Sequence, residues 1–470
     1  MTKKRKQKLE QLLNETMMNL EIRGRSGLLP IEVYRTYLQQ RWTSYSEDAL
    51  SVVMRFDPHI VNETTKSKLL DFIKVEFAPF IYEDRIQSAS FFIARGGPVP
   101  GFPLDSLLKQ LLKITIVRGI AGTVSAFDRC AEDTHVSFQY VALLEGIRLQ
   151  AEIKAFEGIR LVPLPNSLSE LPRVLPGFLM RLSDMSENFY RSKTLLIIDG
   201  SVSPIFHKPL PKLFLGVPED DLPFQVEVSG EKILNFKVAD FYVEFCHALS
   251  IACNSAVEVS LEWRFLAEDE LCNLNALSFG GMSWKCDIAL LRSFTEAEGS
   301  QIDEAKRLYH ILVNLDSKVR EKLRIPIDRW IKSKTSGDPV DKMIDLGIAF
   351  ESIYLSDIKE KTELSFRLRL YASWHLGRDK EDRKALMTEF RAIYNCRSDA
   401  VHKGRLNEKV KIGEEHIPIS EFVARAQDLC RKSIMKILEN GRFPDWNDLI
   451  LGSEVESEAV GLDENLGGLG

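Results

Sequence analysis

A chain of 470 residues is longer than one hydrophobic core usually grows, so more than one domain is expected. Its hydrophobic fraction of 44% and charged fraction of 28% are those of a folded globular chain and exclude a wholly disordered one. The net charge of −6 is unevenly spread: residues 301–440 hold 28 Lys+Arg against 23 Asp+Glu, or +5, leaving −11 for the rest. That surplus is too thin for an obligate DNA binder, but it suits either a nucleic-acid ligand or a solvated helical surface.

No apolar run reaches the ~18 residues of a membrane span, and the basic start Lys3-Lys4-Arg5-Lys6 is not followed by a signal-peptide core. A cytoplasmic protein with no membrane partner is expected. The seven cysteines are odd in number, scattered and without a Cys-x2-Cys pair. This argues against a disulfide framework and a zinc cage, so no metal and no cofactor are expected.

Along the chain, 3–21 predicts a helix, with Leu9, Leu12, Leu13, Met17 and Leu20 at helical spacing and Gly24-Arg25-Ser26-Gly27 ending it. Its lysines either touch phosphates or form a solvated helix end. Helices are also predicted at 31–41 and 66–76, making residues 1–85 a helical segment. From about 88 to 277, short apolar or alternating runs are punctuated by Gly, Pro and Asn. Strands are predicted at 136–141, 159–163, 194–198, 224–228 and 256–263, with a helix at 238–252. Residues 86–298 are thus a mixed α/β domain with a sheet.

Beyond Gly299 the helical period takes over, at 304–315, 339–355, 363–376, 380–394 and 419–438. Short connections at 356–362 and 377–379 favour antiparallel neighbours, and 299–445 is predicted to be a helical bundle. Residues 446–470 form an acidic tail, with Glu454, Glu456, Glu458, Asp463, Glu464 and several glycines from 452 onward, and are expected to lack order. The expected fold class is α+β, a mixed α/β region with a sheet followed by an all-α bundle. No internal repeat is present.

The bundle carries three signals in order. Asp341-Lys342-Met343-Ile344-Asp345-Leu346-Gly347-Ile348-Ala349-Phe350-Glu351 precedes Leu364-Ser365-Phe366-Arg367-Leu368-Arg369-Leu370, and then comes Tyr394-Asn395-Cys396-Arg397-Ser398-Asp399-Ala400-Val401-His402-Lys403-Gly404. This succession resembles the Apea-like branch of the HEPN superfamily: an IDLxIAxE helix, an LSxRL helix, then a tyrosine, RS and VH near a glycine. The resemblance is clearest over 338–405, about a seventh of the chain.

What it implies is a HEPN-type helical bundle that dimerises and, in active members, cuts RNA without a metal ion. By position, Arg397 and His402 match the motif's catalytic pair, and Ser398 stands where many HEPN proteins have Asn, Asp or His. The chain departs from the pattern in that Lys403 separates His402 from Gly404.

The residue types suit that chemistry. Attack of a ribose 2′-hydroxyl on the adjacent phosphorus needs a base for its proton and a cation for the phosphoryl oxygens. Histidine, with an ordinary pKa of about 6.5, exchanges protons near neutrality. Arginine offers phosphate a planar fork of donors. The expected product is a 2′,3′-cyclic phosphate.

Positions i and i+5 lie about 140° apart on a regular helix, so Arg397 and His402 do not share a face. Either the helix breaks at the motif, with Ser398 or Asp399 capping a new one, or two subunits compose the site. Asp399 either orients His402 or caps a helix. Glu351 and Arg367 are either supporting polar residues or members of an interhelical ion pair.

Other signals are set aside. Gly96-Gly97-Pro98-Val99-Pro100-Gly101 and Gly280-Gly281 are not a phosphate-binding loop. Cys246 and His247 diverge on a helix, acidic runs at 219–221 and 268–270 are solvated loops, and His310 and His375 lack ligand spacing. The expected function is an endoribonuclease of toxin or antiphage type, acting on RNA as a homodimer, with a trigger ligand or protein read by the first 300 residues. The alternatives are a non-catalytic HEPN module binding RNA, nucleotide or protein, and a scaffold in which the bundle only dimerises.

Overall fold

The computed structural model describes residues 1–25, 27–43, 55–86, 102–132, 136–164, 193–203, 225–228, 238–266, 282–284, 294–356 and 363–451. Their architecture is mixed, α+β, in two compact units. Unit 1 is Met1–Leu144, Arg148–Phe241 and Val259–Asp287; unit 2 is Glu145–Ile147, Tyr242–Glu258 and Ile288–Gly470.

Unit 1 begins with α1 (Lys3–Met17), which buries Leu9, Leu12, Leu13 and Thr16. The helix predicted to Glu21 stops short because Leu20-Glu21-Ile22-Arg23 alternates, burying Leu20 and Ile22. These residues form β1 (Leu20–Gly24), flanked by antiparallel β2 (Gly27–Leu29) and β3 (Phe56–Ile60). The segment predicted to be helical over 1–85 therefore contains a three-stranded sheet. Between its strands and after them come α2 (Ile31–Thr43) and α3 (Glu63–Glu76), the latter capped by Asn62, whose side chain accepts the Thr65 N–H at 3.1 Å.

A small sheet of β4 (Ile81–Tyr82), β5 (Arg85–Ile86) and β6 (Phe102–Pro103) leads into α4 (Leu104–Glu132). This long helix falls in the stretch whose texture predicted strands. It buries Leu107, Leu108, Leu111, Leu112, Ile114 and Ile116, while Asp105, Lys109 and Lys113 recur one turn apart on its polar side. It also bends at Gly119, whose φ of 73° is left-handed. α1, α2 and α3 pack on it, and Phe127 meets Phe72 and Phe77 at 5.9 and 5.5 Å between ring centroids.

Next come β7 (Val136–Glu145), β8 (Ile147–Arg148), β9 (Ile153–Phe156), β10 (Ile159–Pro163), β11 (Lys193–Ser203), β12 (Gln225–Val228), β13 (Glu258–Leu266) and β14 (Met282–Trp284). Seven of these make one sheet in the order β14-β13-β7-β11-β10-β9, with β12 also on β11. The five predicted strands coincide with β7, β10, β11, β12 and β13. Central β7 buries every residue from Tyr140 to Leu144, as a strand covered on both faces must.

Unit 2 takes most of α5 (Val238–Cys253), then β15 (Thr295–Glu296), α6 (Gly299–Asn314), α7 (Ser317–Thr335), α8 (Pro339–Tyr354), α9 (Leu364–Leu376) and α10 (Lys380–Lys403). The hairpin β16 (Lys409–Ile412) and β17 (Glu415–Pro418), α11 (Ile419–Asn440) and α12 (Trp446–Leu451) complete it. The five predicted bundle helices are present, but α10 runs nine residues beyond Tyr394, to Lys403. α7 escapes prediction because Pro326 sits inside it.

Residues 446–451, assigned to the disordered tail, instead form α12, since Trp446 is buried against Tyr371 and Tyr354. α8 is central, packing on α7, α9, α10 and α11. Trp330 Nε1 donates to the Gln427 carbonyl at 2.9 Å and Gln427 Nε2 to the Ser333 carbonyl at 2.8 Å, tying α7 to α11.

No helix among the described residues is long and apolar enough to cross a membrane. The runs at 96–101, 219–221, 268–270 and 280–281, most of the connection at 356–362, and the tail from 452 lie outside the described residues.

Gly146 marks the tightest backbone approach. Its φ is 89°, and a Cβ there would stand 1.7 Å from the Ala256 carbonyl oxygen. Gly146→Ala is expected to destabilise the protein by at least about 2 kcal/mol through strain and clash together, measured as a lowered urea midpoint.

Candidate functional site

α10 carries Arg397, Ser398, Asp399 and His402. Asp379 caps its start by accepting the N–H groups of Glu381 and Asp382, both at 2.9 Å, and Gly404, with φ 60°, ends it. The helix is unbroken from Lys380 to Lys403. The predicted alternative of a break at the motif is thereby excluded, and neither Ser398 nor Asp399 caps a helix. Asp399 instead pairs with Lys403 at 2.7 Å, one turn on.

Arg397 faces inward. Its stem crosses α8 at Gly347, where a Cβ would lie 2.2 Å from Arg397 Cγ. Its Nη2 donates to Glu351 Oε2 at 3.1 Å, so Glu351 is part of an interhelical ion pair. Arg397 Nε is buried with no acceptor among the described residues. His402 points the other way, about 140° round the helix, into solvent, and among the described residues it has no hydrogen-bond or ion-pair partner. Ser398 is half-exposed on the same outward side, and Arg367 is half-buried on α9. One chain therefore unites Arg397 with Glu351 but not with His402.

Neighbouring groups are structural. Asp345 is buried and pairs with Arg329 of α7 at 2.9 Å. Burial, and then the Asp399 charge, push the Cys396 thiol up to about 11, which leaves it a poor nucleophile. His247 turns to Asp328, with Nε2 2.8 Å from the carboxylate, while Cys246 beside it is buried. Among the described residues no three His, Cys, Asp or Glu side chains are grouped to hold a metal ion.

One polar network was missed from sequence. Tyr354 Oη lies 3.1 Å from His375 Nδ1 and 2.7 Å from Ser433 Oγ, all buried, on three different helices. Ser433 donates its only proton to the Leu429 carbonyl at 2.8 Å. Tyr354 must then donate to Ser433 and accept from His375 Nδ1–H, which makes Nε2 a buried acceptor with no partner among the described residues. Burial, aided by the Lys436 charge, pushes the His375 pKa down to about 3. His375 and Ser433 lie 21 and 79 residues from Tyr354, so no local spacing announces the network.

Comparison of the chain with protein-family models, with curated proteins and with solved structures gives no match.

Two outcomes follow from this geometry. Gly347→Ala gains about 1 kcal/mol of helix propensity but overpacks the Arg397 stem at a cost of about 1–3 kcal/mol, so it should destabilise; in an Arg397→Ala background the same change should stabilise. A denaturation double-mutant cycle reads this reversal of sign. For His375 the folded pKa lies below the unfolded value of about 6.5, so its contribution to stability is full above about pH 6.5 and is lost as pH falls toward 3. Between pH 7 and 4.5 the loss is on the order of 3 kcal/mol in the native chain. His375→Gln, lower in stability at pH 7, should show a flatter urea-midpoint profile over that range.

Proposed function

We propose that the helical bundle is a metal-independent endoribonuclease of HEPN type, acting on RNA as a pair of chains. His402 takes the proton of a ribose 2′-hydroxyl, the oxygen attacks the adjacent phosphorus, and the 5′-oxygen leaves, yielding a 2′,3′-cyclic phosphate. Arg397 offsets charge on the phosphoryl oxygens.

The observation that carries the reading is the pairing of Glu351 with Arg397 over Gly347, which joins the first and last of the three motif segments in space. It holds the arginine stem while Nη1 keeps no partner among the described residues. His402 is open to solvent on the far side of the same unbroken helix, so the two meet at one phosphate only if a second chain supplies one of them. In this reading the remainder of the chain senses a trigger or selects RNA, as suits a toxin or antiphage role in the cytoplasm. A second reading, a HEPN module that binds RNA, nucleotide or protein without cutting, is favoured by the same ion pair, because Glu351 already neutralises Arg397.

The test is complementation. Arg397→Ala and His402→Ala should each abolish cleavage of mixed cellular RNA. Unfolded together and refolded as mixed dimers, they should recover about a quarter of wild-type activity, since half the dimers are mixed and each holds one intact composite site. A mixture as inert as its parts, beside an active wild type, refutes the two-chain site. An inert wild type that still binds RNA through both substitutions supports the non-catalytic reading.

A further inference from the structure

The outward face of α10 repeats at helical spacing. Arg391, Asn395, Ser398 and His402 follow one another at i, i+4, i+7 and i+11, within about 40° of one direction and spread over about 16 Å. Arg391, Asn395 and His402 are exposed and Ser398 half-exposed. On adjoining α9, Phe366 presents its ring to solvent, 45% exposed. The Arg369 guanidinium lies 5.9 Å from that ring's centroid, and its Nε is held by the Ser365 carbonyl at 3.0 Å.

Partial burial, and then the nearby charge of Arg391, lower the Arg369 pKa. α9 and α10 pack on each other, and among the described residues neither arginine has a carboxylate partner. Of the acids along α10, Glu389 is half-buried with Arg425 and Lys432 as its nearby cations, and Asp399 pairs with Lys403; Glu351 of α8 pairs with Arg397. An exposed aromatic ring beside unneutralised guanidinium groups is the pairing that stacks a base and holds the phosphate next to it.

We infer that this face of α9 and α10 is a docking surface for single-stranded RNA, with Phe366 stacking on a base and Arg369 and Arg391 holding phosphates on a strand that runs along α10 toward His402. The direction toward His402 rests on the nuclease reading; the binding does not. A duplex is disfavoured because its bases are already stacked and offer Phe366 no free face. An acidic protein segment would satisfy the arginines but would leave the ring unused.

The test uses the full chain and a fluorescein-labelled, fully 2′-O-methylated single-stranded oligonucleotide, which binds but cannot undergo 2′-hydroxyl attack. By fluorescence anisotropy, Phe366→Ala should weaken binding on the order of tenfold and Phe366→Trp should retain it. Arg391→Ala should weaken binding and flatten the slope of log affinity against log salt by about 0.7. The inference is overturned if the wild type does not bind, or if Phe366→Ala and Arg391→Ala bind as the wild type does. Equal affinity for the duplex, or for oligoglutamate with the same response to Phe366→Ala, also overturns it. Unmodified RNA separates the two proposals: His402-dependent cutting with unaffected binding variants sinks the surface alone, whereas impaired variants with no cut product sink the nuclease alone.

Discussion

The close approach of Arg397 to Gly347 is the constraint on which the candidate site depends. A long charged side chain can cross a neighbouring helix at such short range only where that helix has no Cβ, and α8 supplies a glycine there. Glu351, one turn further along α8, then meets the guanidinium, so steric fit and charge act on the same side chain. A half-buried ion pair of this kind contributes modestly to stability, but it is demanding in geometry, because removing either partner strands the other. It fixes which side of α10 faces the bundle, and with that it fixes which side faces solvent.

That choice has two consequences. On the inner side, α8 is tied at two points, by Asp345 to Arg329 of α7 and by Glu351 to Arg397 of α10. On the outer side, Arg391, Asn395, Ser398 and His402 are left facing water, free of the bundle's packing requirements. The polar residues of α10 are therefore divided between a structural task and a surface available for binding, and the division follows from the helical period alone once Arg397 is anchored.

Away from this surface, the bundle encloses polar groups it has largely satisfied. Tyr354, Ser433 and His375 share a directional chain of hydrogen bonds that ends at the Leu429 carbonyl, with Trp446 of α12 covering the aromatic side. The low dielectric that strengthens such a chain also makes protonation of His375 unfavourable. The arrangement selects one tautomer and one packing, at the expense of tolerance to acid.

Local pattern was enough to locate five strands and most bundle helices, because alternation and the 3.6-residue period are properties of neighbouring residues. It was also enough to mark Arg397 and His402 and to show that one regular helix cannot converge them. It failed at α4, which lies in a stretch whose texture reads as strands, at α7, which contains Pro326, and at Leu20 to Gly24, which join a sheet whose third strand arrives some thirty residues later. Only the tertiary structure decided that Glu351 belongs to Arg397 and that Tyr354, His375 and Ser433 meet. These are outcomes of packing between segments distant along the chain, and no spacing within any one segment encodes them.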